Sequence, residues 1–281
     1  VRLDRALAEQ GLARSRSHAQ ELIRSGSVTV DGAVVTKASL VVGQSHTLEV
    51  NGEAGYVSRA AFKLLGALDA TAPLGLDIAG MSALDAGAST GGFTQVLLER
   101  GASHVLAVDV GHGQLSERIA ADPRVTAREG VNVRDLTSGS EGAGVDLVVA
   151  DLSFISLTLV LPALVDFARA GAQMLLMVKP QFEVGRERLG SGGVVTRLED
   201  RADAVAGVLT MARELGLAVH HVSRSMLPGP HGNVEFFVWV GGPWQASAEN
   251  ANAPAWPILD EEAQTAAIAR EVQASSETEG K

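Results

Sequence analysis

At 281 residues, with 46% apolar and 20% charged residues and no cysteine, the chain can build one large domain and a small one. The missing cysteine excludes a disulfide framework and any thiolate metal site. A net charge of −10 argues against nucleic acid only until it is apportioned: residues 1–59 carry seven Lys/Arg and six Asp/Glu, 60–242 carry 14 and 20, and 243–281 carry two and seven. A local basic patch matters for RNA more than the total.

The first segment, about 1–55, reads as a small α/β unit. "LDRALAEQGL" puts Leu3, Ala6, Leu7 and Leu12 near helical spacing, without the apolar core of a signal peptide. "SRSHAQELIRSG" predicts a second helix with Ser15 as N-cap, Ala19, Leu22 and Ile23 facing inward, and Gly26 as terminator. "VTVDGAVV" predicts two short strands around an Asp31-Gly32 turn. Arg14, Arg16 and Arg24 cluster on and before the second helix, with Arg2 and Lys37 outside it. Charge alone leaves a solvated face and a phosphate-binding face open.

The middle segment alternates strand and helix patterns. Strands are expected at 82–87, 104–110, 145–152, 172–179, 218–227 and 234–240, with a helix over "LEDRADAVAGVLTMARELG". Such alternation implies a mostly parallel sheet covered on both faces. The last two strands are joined by only six residues, "PGPHGN", too few for a crossover helix, so they should pair antiparallel. That arrangement is typical of class I, Rossmann-like methyltransferases. The longest apolar region, 152–165, contains Pro162 and is bounded by Asp151 and Asp166. It falls short of the ~20 apolar residues of a membrane helix, and a cytoplasmic protein is expected.

The loop "ALDAGASTGGFTQVL" carries the first chemical signal. Gly87, Gly91 and Gly92 read G-x-x-x-G-G, neither the dinucleotide fingerprint nor a Walker A loop. Asp85 ends the strand before it and Asp109 ends the next, 22 residues after Gly87, where an acid can hold ribose hydroxyls. With no extra phosphate-binding group, S-adenosylmethionine is favoured over NAD. Its amino-acid end would meet the loop backbone, including Ser89 and Phe93, at the helix N-terminus.

Further candidates sit at strand ends: Asp151 in "VVADLSF", Lys179 in "LLMVKPQFE" and Glu235 in "NVEFFVW". Carboxyl ends of parallel strands are where such sheets bind ligands. Lys63, in "YVSRAAFKLLGALDA", falls opposite the apolar face of Val57, Ala61, Leu64, Leu65 and Leu68, so taken alone it reads as a solvated lysine. The loop 184–195, with Arg186 and Arg188, reads equally as a cover over substrate or a plain connection. His220, His221 and His231 lack a companion ligand set, and no metal is expected. Residues 243–281, rich in Ala, Ser, Asn and Glu, read as a disordered acidic tail with room for a short helix around 259–273.

These residues carry a resemblance. Residues 2–32 are similar to the small RNA-binding domain of ribosomal protein S-four, which implies phosphate contacts for Arg2, Arg14, Arg16 and Lys37. "YVSRAAFKL", "ALDAGASTGGFTQVLL", "VDLVVADLSF", "LLMVKPQFE" and "NVEFFVWV" resemble the FtsJ-like ribose methyltransferases, residues 56–242. Together, about 1–242 resembles the TlyA (hemolysin A) family, whose members methylate cytidine 2′-hydroxyls in ribosomal RNA. The resemblance implies a catalytic tetrad of Lys63, Asp151, Lys179 and Glu235, and places Asn132 near the adenosine. It implies ribosomal subunits as partners; no segment spans or coats a membrane, and a monomer is expected. A binding-only protein and a pore-forming toxin are the alternatives. Lys179 would either act as base, with its pKa depressed by Lys63, or mainly align the hydroxyl, while Asp151 and Glu235 orient the two amines.

Overall fold

In the computed structural model the chain divides into two units, Val1–Arg59 and Ala60–Lys281. The structure describes residues 1–10, 12–13, 16–24, 28–31, 33–35, 37–43, 46–50, 56–229, 232–242 and 256–279. Ser15, Gly26, Gly32, Arg14 and His231, named above, lie outside them.

The small unit comprises α1 (Leu3–Glu9), α2 (Arg16–Arg24), β1 (Val28–Val30), β2 (Ala33–Val34) and β3 (Leu48–Val50). Its sheet has the order β2-β1-β3, antiparallel throughout. Leu3 and Leu7 of α1, Ala19 and Ile23 of α2, and Val28 of β1 are fully buried together. Asp31 turns the chain at φ 53° and its carboxylate accepts the Thr47 N–H at 2.8 Å. That short polar side chain tolerates the left-handed conformation the turn requires.

The large unit runs α3 (Ala60–Thr71), β4 (Ser82–Ala86), α4 (Gly92–Glu99), β5 (His104–Asp109), α5 (Glu117–Ala120), β6 (Val125–Glu129), β7 (Val145–Ala150), α6 (Leu157–Phe167), β8 (Ala168–Val178), α7 (Pro180–Glu183), α8 (Leu198–Glu214), β9 (Ala218–Arg224), β10 (Phe236–Gly241) and α9 (Glu261–Glu279). The seven strands lie in the order β6-β5-β4-β7-β8-β10-β9. The first five pair in parallel, and β10 pairs antiparallel with both β8 and β9. Phe236, Val238 and Val240 enter the core beneath α6, α8 and α9, while Phe237 and Trp239, at the alternate positions, are buried on the other face. Period-two side chains on a sheet covered on both sides account for the nearly continuous apolar strands.

Two expectations change. Strand β6 went unforeseen because it is an edge strand with no residue fully buried, so its sequence, "VTARE", lacks an apolar run. The expected disordered tail carries the 19-residue helix α9, longer than the short helix allowed for. Ala267, Ile268 and Val272 of α9 are buried against the core with Val219 and Val222 of β9. Among the described residues only these three apolar residues of α9 are buried, so its apolar face is thin in sequence but sufficient against a preformed surface.

Candidate active site

The strand ends converge on one edge of the sheet. Asp151 follows β7 directly and donates its N–H to the Ala86 carbonyl at the end of β4 (3.1 Å). Lys179 follows β8. Glu235 precedes β10, whose Phe236 pairs with Val178, so Glu235 stands in register opposite Lys179. The antiparallel insertion of β10 thus returns a carboxylate to the edge where the parallel strands terminate.

Two lysine–carboxylate pairs occupy that edge. Lys179 Nζ lies 2.6 Å from Asp151 Oδ1 and donates to Ser153 Oγ at 3.0 Å. The Asp151 contact is an ion pair without hydrogen-bond alignment, since Oδ1 has no hydrogen-bond partner among the described residues. Lys63 Nζ pairs with Glu235 Oε2 and approaches Met177 Sδ at 3.9 Å. Lys63 is only 4% exposed, which corrects the expectation of a solvated lysine. Its ammonium reaches the end of β8 at Met177 and the residue before β10, Glu235, not water. A buried ammonium is tolerable only when paired, and Glu235, itself 1% exposed, supplies the partner. Among the described residues Glu235 Oε1 has no hydrogen-bond partner, and a Cβ on Gly229 would come within 2.5 Å of it.

The glycine loop rises beside these pairs. Gly87 has φ +87°, and a Cβ there would lie 2.7 Å from the Asp151 carbonyl oxygen. Gly91 has φ +93°, and a Cβ would meet Leu115 Cδ1 at 2.8 Å. Both glycines therefore serve chain packing first, pressing the loop onto the end of β7 and the turn before α5. Gly92 opens α4. Ser89, exposed at the tip, sits at φ +47°. Asp109 holds this tip: its Oδ2 accepts the Ser89 N–H and its Oδ1 the Gly111 N–H, both at 2.8 Å. The Asp109 carbonyl accepts the Val131 N–H at 3.0 Å, bringing the exposed Asn132 alongside, with its side chain accepting from Arg134 N.

Asp85 and Phe93 lie beneath the loop instead of lining it. The Phe93 ring is 3% exposed and stacks on Phe237 with centroids 6.1 Å apart, so its side chain packs into the core and only its backbone belongs to the loop surface. Asp85 is fully buried, accepts the Thr94 hydroxyl at 2.6 Å through Oδ2, and has no partner for Oδ1 among the described residues. Burial pushes its carboxyl up to about 7, with the Thr94 bonds opposing and the charges of Asp151 and Asp109 adding to the rise. The exposed tip with its backbone amides, the half-exposed Asp109 carboxylate and Asn132 on one edge fit a nucleoside-bearing ligand.

Several residues went unread in the sequence. Phe154 is 91% exposed and held at φ +64°, three residues after Asp151, with its ring 5.3 Å from that of Phe182. A bulky residue in the left-handed region costs energy and points to a local task. Glu183 accepts Leu157 N at 2.8 Å and Ser156 Oγ at 2.5 Å, tying the loop after β7 to the turn after β8. Burial raises the Glu183 carboxyl. Glu129 accepts the N–H groups of Gly113, Gln114 and Leu115, and those bonds lower its pKa. Asn233 pins the loop 184–195 by accepting Val195 N and donating to Gly193 O, each at 3.0 Å. Arg188 of that loop pairs with Asp203 (2.8 Å) and Asp200 (3.5 Å) on α8, while Arg186 is exposed. His220 is buried with its Nδ1 2.7 Å from the Pro257 carbonyl and its ring 4.7 Å from that of Trp239, a packing position.

In the small unit, Arg2 and Arg16 both reach the buried carboxylate of Asp4, and Lys37 is exposed. Arg2 pairs with Val41 in an isolated antiparallel bridge, and Asp4 N donates to the Ala38 carbonyl, which brings the segment bearing Lys37 to the same end of α1.

A family model described as FtsJ-like methyltransferase matches residues 56–242, and one described as S4 domain matches residues 1–48. The chain belongs to the FtsJ-like methyltransferase family. It is 52% identical over 242 residues to the "16S/23S rRNA (cytidine-2'-O)-methyltransferase TlyA" of Mycobacterium tuberculosis, covering 85% of this chain and 89% of that one. It is 33% identical to "Hemolysin A" of Brachyspira hyodysenteriae, covering 84% and 98%. A solved structure of a Streptococcus thermophilus protein described as a hemolysin aligns over 100% of this chain and 98% of that one, with TM-score 0.74 and 32% identity. These likenesses place the chain among the TlyA proteins of the FtsJ-like family. Among the described residues, no helix is long and apolar enough to cross a membrane.

Proposed function

We propose that the protein transfers a methyl group from S-adenosylmethionine to ribose 2′-hydroxyls of cytidines in ribosomal RNA. The observation that carries this reading is the pair of lysine–carboxylate contacts, Lys179–Asp151 and Lys63–Glu235, beside a glycine loop on one sheet edge. The RNA and the cytidine follow from the name of the Mycobacterium tuberculosis relative. In this reading residues 1–55 hold RNA and residues 56–242 carry the reaction.

The loop backbone at Gly87, Ser89, Gly91 and Gly92 would hold the methionine end of the donor, with Asp109 and Asn132 at the nucleoside end. Asp85 and Phe93 support the loop from below. When bound, the donor supplies a sulfonium methyl open to attack. A ribose hydroxyl is a poor nucleophile at neutral pH and must lose its proton as it attacks. Lys179 meets that hydroxyl, orienting it and receiving the proton it releases on attack, with Asp151 and Ser153 holding the Lys179 nitrogen in place. Lys63 pairs with Glu235 and fixes it opposite Lys179. Phe154 offers a flat apolar face on which an unstacked base rests, the usual way single-stranded RNA is held. Arg2, Arg14, Arg16 and Lys37 take phosphates.

The test is transfer of a tritiated methyl group to purified large and small ribosomal subunits, followed by alkaline hydrolysis of the RNA. Label recovered in alkali-resistant dinucleotides containing cytidine is the expected result. Subunit binding without label would assign a binding-only protein, and label on a base would overturn the ribose assignment.

A further inference from the structure

Asp4 is a buried carboxylate that the proposed reaction does not use. Its side chain is 0% exposed, yet it sits in the first turn of α1 among Leu3, Ala6 and Leu7, where an unpaired charge would be costly. Arg2 grips it with two bonds, Nε to Oδ1 and Nη2 to Oδ2, both 3.0 Å. Arg16 Nε, at the start of α2, donates to Oδ2 at 3.0 Å, and Gln20 Nε2, one turn further on, donates to the same oxygen at 2.8 Å. The Arg2 guanidinium beside it holds the Asp4 carboxyl well below the usual carboxylate range.

The exposures are asymmetric. The side chains of Arg2 and Arg16 are 47% and 56% exposed, while the acid between them is sealed. A polyanion can reach both guanidiniums without meeting the carboxylate. The acid also joins two helices whose contributing residues are 12 apart in sequence, so it sets the distance between two cations that local structure alone would leave free. Planar guanidinium forks bind phosphate best when pre-oriented, since less rotamer entropy is lost on contact.

We propose that Asp4 is a positioning residue for RNA binding, a buried carboxylate that presents Arg2 and Arg16 to the phosphate backbone at one fixed spacing. This rests on reading the small unit as RNA-binding. The proposal predicts a sign opposite to charge counting. Asp4→Asn makes the group more positive by one charge, which by long-range electrostatics alone strengthens binding to a polyanion. Loss of fixed geometry weakens it.

The experiment measures retention of the full chain on purified ribosomal subunits across a salt series, for Asp4→Asn, Arg2→Lys, Arg2→Ala and Arg16→Ala, with thermal melts alongside. Expected is a loss of about 3- to 10-fold for Asp4→Asn, with the salt slope lowered by up to about one unit, as for the loss of one phosphate contact. The loss should also appear as a higher subunit concentration for half-maximal single-turnover methyl transfer. Arg2→Lys keeps the charge but cannot make the two-bond grip, and should weaken binding nearly as much as Arg2→Ala. That arm decides the matter even if Asp4→Asn unfolds the small unit. Tighter or unchanged binding by Asp4→Asn, or wild-type binding by Arg2→Lys, while Arg2→Ala and Arg16→Ala weaken it, overturns the proposal. If neither alanine variant affects binding, the RNA-binding reading of this face falls, and the proposal with it.

Discussion

Asp85→Asn isolates the buried acid under the glycine loop. Asp85 has a folded-state pKa of about 7 against 3.8 for the ordinary side chain, caused first by burial. The shift spans about three units, and at about 1.4 kcal/mol per unit it makes the charged form about 4 kcal/mol costlier in the folded state. Because the folded value is raised, the favourable contribution is complete below the unfolded pKa and is lost as pH climbs towards about 7. Between those values the unfolded chain has released a proton that the folded chain retains, so stability falls with rising pH. Asn cannot titrate, and its amide nitrogen in place of the unpartnered Oδ1 adds a cost that does not depend on pH. The informative quantity is therefore the change in the wild-type-minus-variant difference between pH 5 and pH 8, expected to be about 3 kcal/mol in favour of the variant at the higher pH. Urea unfolding followed by tryptophan fluorescence measures it, since all three tryptophans lie beyond residue 238 and report the large unit. A difference that stays constant across this range would show that Asp85 is not shifted, and the burial argument would fail.

Lys179→Ala should lose at least ~100-fold in single-turnover methyl transfer while retaining subunit and donor binding. Lys179→Arg should not restore it, because a guanidinium does not give up its proton; near-normal turnover would reduce Lys179 to an electrostatic contact. Asp109→Ala removes the acceptor for Ser89 N and Gly111 N, so calorimetry should show donor affinity weakened by about 1.5–3 kcal/mol, and unchanged affinity would detach Asp109 from the donor site. Glu183→Ala strips the acceptor from Leu157 N at the start of α6 and should destabilise the large unit by about 1–2 kcal/mol in urea melts, with Glu183→Gln milder. Ending the chain at residue 255 uncovers the surface beneath Ile268 and Val272 and takes Ser275 from the buried guanidinium of Arg201 (2.8 Å). The loss should be at least about 3 kcal/mol, and an unchanged melting temperature would mean α9 does not stabilise the fold.

Much of the site could be read from the sequence because its signals are local. Gly87, Asp151 and Lys179 each follow, and Asp109 ends, a strand that announces itself by its apolar run, and the end of a parallel strand is a position the chain direction already defines. The antiparallel placement of β10 was likewise legible, since a short connection cannot cross over. What the sequence could not determine is how separated elements meet. Lys63 looked solvated because helical periodicity describes one helix alone; its burial depends on Glu235, 172 residues away, returning to the same sheet edge. The Phe93 ring reads as part of a loop motif, but the sheet supplies Phe237 and draws it into the core. Strand β6 and helix α9 carry too few large apolar residues to declare themselves, and exist because neighbouring strands and a preformed core give a small apolar face something to cover. The two cations at Asp4 were visible singly, but the carboxylate that sets their spacing emerges only when α1 and α2 pack. Short-range patterning specifies elements and the residues at their ends, whereas burial, pairing and the shifted carboxyl of Asp85 depend on which groups exclude water from which, and that is decided in three dimensions.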